Sequence, residues 1–183
     1  GPQAAEWKEA YKKDLEAKIR NGTFSLVRRP AGKVIPTKVA HAIKRDPITN
    51  KITELRARWV GKGFMQGVGD FNETYMATPS ATSVRLMLNV CLCLSLHLYQ
   101  GDVTKAFTLS PIDVELHCEQ MPGMEQPGPD GTPAQDTVCL LHKCLEGLKQ
   151  AGNVWQSNHS KKLLELHLFN TAHFEQSTSE PTL

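Results

Sequence analysis

The sequence predicts an α+β fold, an antiparallel sheet with helices packed against it, and three stretches carry that expectation. Residues 7–19 repeat apolar side chains at helical spacing, residues 38–64 alternate as two strands about one turn, and residues 84–98 form a long apolar run. The chain has 183 residues, enough for a real core, and its 40% hydrophobic and 22% charged content is that of an ordinary globular protein.

Trp7, Tyr11, Leu15 and Ile19 recur every four residues with Lys and Glu between them, and Asn21-Gly22 supplies a helix stop. Thr23–Val27 reads as a short strand, followed by the basic turn at 28–33. Lys38–Arg45 and Lys51–Phe64 are then two strands joined by Asp46-Pro47-Ile48-Thr49-Asn50, where Pro47 suits the second position of a turn. This hairpin carries Lys38, Lys44, Arg45, Lys51, Arg56, Arg58 and Lys62. Arg56, Arg58, Val60 and Lys62 occupy alternate positions, so three cations share one strand face. Such a row suits phosphate, which Arg grips through two parallel N–H donors. It equally suits an exposed basic hairpin with no specific ligand.

Residues 67–75 form a loop, and Ser80 or Thr82 can cap a helix running from Val84 to Leu98. That helix is apolar on nearly all sides, which predicts burial between a sheet and another layer. It delivers a strand-like Leu98-Tyr99-Gln100 and then Asp102. An acid where a strand leaves an apolar layer can hold a divalent metal against a phosphate; it can also be a turn aspartate beside Gly101. Leu116–Met121 and Val138–Lys143 read as strands on either side of a Gly- and Pro-rich stretch, 125–136, expected to be a mobile loop. Gly147–Ala151 turns into a helix over Asn153–His167, with Trp155, Leu163, Leu164 and Leu166 as core candidates.

Five cysteines, with no Cys-x-x-Cys pair, read as reduced core thiols of an intracellular protein. The run from Val84 is interrupted by Arg85 and Asn89 and is too short to cross a bilayer, so no membrane role is expected. The net charge of +2 hides an asymmetry: residues 1–62 carry 15 Lys/Arg against 6 Asp/Glu, and the remainder 6 against 13. A basic part beside an acidic part points to a polyanion on one and metal-binding carboxylates on the other.

Four stretches occur in one order: Leu55-Arg-Ala-Arg-Trp-Val-Gly-Lys-Gly-Phe-Met-Gln66, Asp70-Phe-Asn-Glu-Thr-Tyr75, Asp102-Val-Thr-Lys-Ala-Phe107 and Cys144-Leu-Glu-Gly-Leu-Lys-Gln-Ala-Gly-Asn-Val-Trp155. Together they resemble the reverse transcriptase domain of copia-type retrotransposons, from Glu6 to Leu183. The resemblance implies a fingers-like region over 1–80, with the basic hairpin at 38–64, and a partial palm-like region over 81–183. It implies that Arg58, then Lys62 and Lys51, hold a nucleotide triphosphate, and that Phe107 lies under the sugar. Lys149 and Gln150 match the turn beside template and nucleotide. Lys38, Lys44, Arg45 and Arg56 would contact RNA or DNA, while Asp102 and the Val103 carbonyl would bind Mg²⁺.

The sequence also departs from that pattern. No Asp-Asp dipeptide occurs, so the second carboxylate motif, Tyr-x-Asp-Asp, is missing, and the chain ends about where the family's next strand would begin. Glu146 replaces a tyrosine and puts negative charge near the nucleotide; Lys105 takes a small polar position. One aspartate cannot hold two magnesium ions, so the chain alone is expected not to polymerise DNA. Three functions follow: an enzyme completed by a further segment or a second chain, a module that binds nucleic acid, or a protein-interaction piece that pairs or dimerises through an open sheet edge.

Overall fold

The structure, a computed structural model, describes residues 3–165. Its order is α1 (Ala4–Arg20), β1 (Phe24–Arg28), β2 (Thr37–Arg45), β3 (Ile52–Gly61), α2 (Ala81–Cys93), β4 (His117–Cys118), β5 (Thr137–Leu141) and α3 (Ala151–Glu165), an α+β arrangement. One antiparallel sheet has the order β1-β5-β4, and β2-β3 is a separate antiparallel hairpin.

The hairpin turn forms because Asp46 Oδ1 accepts from the backbone N–H groups of Ile48 and Thr49, at 3.0 and 2.6 Å. β3 is shorter than its alternation predicts. It stops at Gly61, and a 3-10 turn at Gly63–Met65 replaces the expected strand end. The register puts Lys38, Lys44, Arg56 and Arg58 on one face of the hairpin. Helix α1 covers the other, where Trp7 and Tyr11 meet the His41 ring.

The stripe on α1 is rotated from the expected one. At about 100° per residue, Lys18 falls within about 20° of Trp7, while Ile19 has drifted about 120° away. Ile19 is accordingly 51% exposed and Lys18 fully buried. The helix closes with Gly22 in the left-handed region, the Thr23 N–H reaching the Lys18 carbonyl.

The core gathers Leu15, Ile35, Trp59, Leu116, Met121, Leu141, Leu145 and Leu148, drawn from both halves of the chain. Gln120 lies beneath the Gly- and Pro-rich stretch. Its amide nitrogen donates to the Gln126 and Thr137 carbonyls and its oxygen accepts from the Gln126 N–H. The segment expected to be a mobile loop is thus tied down near both ends.

Three further expectations are corrected. Helix α2 ends at Cys93 rather than Leu98, and none of its residues is buried. Ser80 caps it as predicted, accepting from the Ser83 N–H. Its end is a Schellman motif with Ser95 at φ +53° in the place usually held by glycine, and the Leu96 N–H bonds the Cys91 carbonyl. No helix among the described residues is long and apolar enough to cross a membrane. Leu98–Gln100 is not a strand either, so Asp102 leaves an irregular segment rather than a sheet. The third change is in α3, whose buried residues are Ala151 and Val154; Trp155 is half-buried against His159, and Leu164 is exposed. Leu166 and His167 lie outside the described residues.

Candidate functional site

The outer edge of β3 is closed at one end and open at the other. The Trp59 N–H donates to Asp14 Oδ2 at 2.9 Å, the Gly61 N–H to the Glu146 carbonyl at 2.8 Å and the Gly63 N–H to the Gly147 carbonyl at 3.1 Å. In an antiparallel hairpin, outward N–H groups come every second residue, so those of Ala57 and Leu55 share this edge. A cavity of about 880 Å³ opens beside them. Its walls are α1 (Glu6, Glu9, Lys13, Asp14), β3 from Glu54 to Arg58, and the segment Asp102–Phe107, with Glu146 beside Asp14.

This cavity joins five of the sequence-predicted residues: Asp102, Val103, Phe107, Arg56 and Arg58. Asp102 and Val103 are exposed, and Phe107 is half-buried in a 3-10 turn. Arg58 is exposed and has no ion-pair partner among the described residues. Arg56 Nε and Lys44 Nζ both meet Glu54 Oε2, at 3.0 and 3.2 Å, and these bonds, that from Arg56 foremost, hold the Glu54 carboxyl below the ordinary carboxylate range.

The other predicted residues stand outside the cavity. Lys38 and Lys44 lie on the hairpin face turned from α1, Arg45 and Lys51 flank the turn, and Lys62 follows β3. Lys149 donates to the Gln66 carbonyl at 3.0 Å and lies over the Phe71 ring. Gln150 is fully buried, its amide bonded to the Gln66 side chain and the Asp70 carbonyl. These two residues fasten the turn at 147–150 to the segment after β3, which positions the hairpin rather than presenting either side chain to the cavity.

Two features escaped the sequence reading. The first is the buried group Asp14–Lys18–Glu146: Lys18 Nζ is 2.7 Å from Asp14 Oδ2 and 3.2 Å from Glu146 Oε2. The Glu146 contact is out of line for a hydrogen bond, so charge alone carries it. Glu146 therefore reaches the cavity with a cation behind it. An Asp and a Lys four apart on the apolar side of α1 were the available signal. The second is Lys105, which stands in the left-handed region at φ +57°. Burial pushes its ammonium below the ordinary lysine range, with the Asp14 carboxylate pulling the other way.

The donor set does not fit a magnesium pair. No group of three or more His, Cys, Asp or Glu able to hold a metal occurs among the described residues. Around Asp102, the Asp14 and Glu146 carboxylates are engaged by Lys18, and that of Glu54 by Lys44 and Arg56. Lys105 brings a cation to the same space. What the arrangement can do is hold an anion and stack a planar group on Phe107.

The family described as reverse transcriptase (RNA-dependent DNA polymerase) matches residues 21–179. The chain belongs to this family. It is 35% identical over 156 residues to the retrovirus-related Pol polyprotein from transposon TNT 1-94 of Nicotiana tabacum, covering 84% of the chain and 11% of that protein. It is 30% identical over 168 residues to the corresponding polyproteins from transposons RE2 and RE1 of Arabidopsis thaliana, covering 90% of the chain and 11% of each. These relatives support a reverse transcriptase domain of the LTR-retrotransposon kind, and the chain spans about a tenth of their length. No solved structure matches.

Proposed function

We propose that this reverse transcriptase segment is an intracellular module that binds RNA or DNA through its basic hairpin and does not polymerise by itself. In this reading residues 1–80 are fingers-like and 81–183 a partial palm. The observation that carries it is the hairpin face turned from α1. Lys38, Lys44, Arg56 and Arg58 share that face with one acid, Glu54, between small side chains at Ala40 and Ala42. Four cations spread along two strands suit an extended polyanion better than a single small anion. Polymerisation needs several carboxylates around two ions, and Asp102 is the one family-matched acid here, which supports inactivity.

Binding of a single-stranded oligonucleotide should weaken steeply with salt. Arg58→Ala should lower affinity on all sequences alike and reduce the slope of log K against log salt by about one. Salt-independent binding, or an unchanged slope, would sink the nucleic-acid reading. Primer extension that Asp102→Asn abolishes would refute inactivity.

One observation favours a second chain or second copy that completes the palm-like half. Leu86 and Leu92 on α2 and Leu94 just after it are 63%, 73% and 64% exposed. Exposed apolar surface of this extent marks interaction sites. Concentration-dependent self-association by light scattering, abolished by Leu86→Glu with Leu92→Glu, is expected for a second copy; a monomer at every concentration excludes one.

A further inference from the structure

The three-stranded sheet carries a pair of cysteines that the candidate site does not use. Cys118 on β4 and Cys139 on β5 are direct partners in the register, and both are free thiols buried completely. The hydrogen bonds around them fix the kind of pair. The Leu141 N–H donates to the Leu116 carbonyl at 2.9 Å, and antiparallel partners that exchange such bonds recur at every second residue. On the far side of β4 the Ile35 N–H donates to the His117 carbonyl at 2.8 Å and the Glu119 N–H to the Ile35 carbonyl at 2.9 Å. Both patterns turn the Cys118 backbone groups towards Cys139. A pair of this kind holds its Cα atoms about 5.5 Å apart with both side chains on one sheet face, inside the roughly 4.4–6.8 Å that disulfides span.

The other cysteines lack this placement. Cys91 and Cys93 are two residues apart on α2 and do not face one another, and Cys144 has left β5, its N–H bonded to the Ser110 carbonyl at 3.0 Å. A hydrogen bond with the Cys139 thiol, and then burial, push the Cys118 thiol well above the ordinary cysteine range. The thiolate is the reactive form, so the closed sheet protects the pair. Its protection is local, because β4 is two residues long and opens at the cost of few bonds. Opening of β4 admits a small oxidant to two sulfurs that are already side by side.

We propose that Cys118 and Cys139 form an oxidant-sensitive site, joined by peroxide into a cross-strand disulfide that clamps β4 to β5. One sulfur attacks the peroxide O–O bond and becomes a sulfenic acid, releasing water; the other sulfur displaces the sulfenic hydroxyl as a second water and closes the S–S bond. The two thiols are oxidised by two electrons together, and the peroxide is reduced by the same two. A thiol reductant reopens the bond. The clamp closes the Gly- and Pro-rich stretch, 119–138, into a covalent loop. It also steadies the base of the basic hairpin, because the Thr37 hydroxyl at the start of β2 donates to the Gln120 carbonyl at 2.9 Å. This site is independent of the nucleic-acid reading and stands or falls without it.

The test treats the whole chain, carrying Cys91→Ala and Cys93→Ala to remove the α2 thiols, with hydrogen peroxide and counts the thiols left after denaturation. Loss of both thiols of the pair, reversed by dithiothreitol, is expected. Cleavage by trypsin and a glutamate-specific protease separates Cys118, in peptide 116–119, from Cys139, in peptide 126–143, and frees both from Cys144; mass spectrometry should find the first two peptides joined. The oxidised chain should unfold about 5 °C higher than the reduced one, since the closed loop restricts the unfolded state. Urea below the unfolding transition should speed the reaction several-fold by opening β4. Retention of all thiols, a link from either cysteine to Cys144, or thiol loss that persists when Cys118→Ala is added would each overturn the proposal. An oxidised chain no more stable than the reduced one would overturn the clamp.

Discussion

Gly63→Ala is expected to destabilise the protein by roughly 3–5 kcal/mol, at the upper end of what single substitutions do. A Cβ at this position would lie 2.2 Å from the Gly147 carbonyl oxygen and 3.1 Å from the Lys149 nitrogen, both backbone atoms that no rotamer change can move. The opposite glycine is constrained as tightly. Gly147 has φ +87°, and its Cβ would stand 2.5 Å from the Gly61 carbonyl oxygen. To admit a methyl group the two turns must part, and the bonds from Gly61 to Glu146 and from Gly63 to Gly147 are the first to go. The bond from the Lys149 N–H to Gln66 Oε1 stretches with them. Urea unfolding measures the lost free energy, and thermal unfolding should show a fall in Tm of about 10 °C, from the usual 2–4 °C per kcal/mol for a chain of this size. Gly67→Ala is the contrast: its Cβ meets only the flexible end of Lys33 at 3.4 Å, so a change within about 1 kcal/mol is expected. A Gly63→Ala protein as stable as the parent would show that the hairpin and the 147–150 turn are not locked together.

That lock was half legible in the sequence. Gly61-Lys62-Gly63 and Gly147-Leu148-Lys149-Gln150 stood out as motifs, but nothing in a linear reading says that two glycine-containing turns press backbone on backbone. The same limit explains Gln150. It entered as a match to the family's turn beside template and nucleotide, and no linear reading shows that its buried amide bonds Gln66 and Asp70. The hairpin was read in kind, because alternation and an Asp-Pro turn are local signals; the register is regular from Thr37↔Gly61 to Lys44↔Glu54 and shifts before Arg45↔Ile52. Helix α2 was read correctly in kind and wrongly in burial. An apolar sequence fixes the demand for a covering surface, and no element among the described residues meets that demand. Asp102 lines the cavity, although the strand foreseen before it did not form: among the described residues, Leu98–Gln100 have no neighbouring strand to pair with.

Lys18→Met should cost about 3–5 kcal/mol, the usual penalty for removing one partner of a buried ion pair. The ammonium has no exposure to solvent, and it stands between Asp14 Oδ2 at 2.7 Å and Glu146 Oε2 at 3.2 Å. Without it, two largely buried carboxylates face one another, with the Trp59 N–H as the one remaining bond to the Asp14 side chain among the described residues. Methionine keeps the length and apolar stem of the lysine, so the loss reports charge rather than a cavity. The decisive comparison is a double-mutant cycle. If Glu146 is held by Lys18 through charge, Glu146→Gln should be costly alone but relieve part of the damage when combined with Lys18→Met, giving a coupling of about 1–3 kcal/mol. Strict additivity would mean that Glu146 gains nothing from Lys18. Because Asp14 also closes the β3 edge at Trp59, the Lys18→Met protein should further lose amide-exchange protection at Trp59 before it does so at Gly61, whose acceptor is the Glu146 backbone carbonyl. The acid that replaced an aromatic in the family motif thus has a physical role: it completes a buried charge group that joins α1 to the turn beside the cavity.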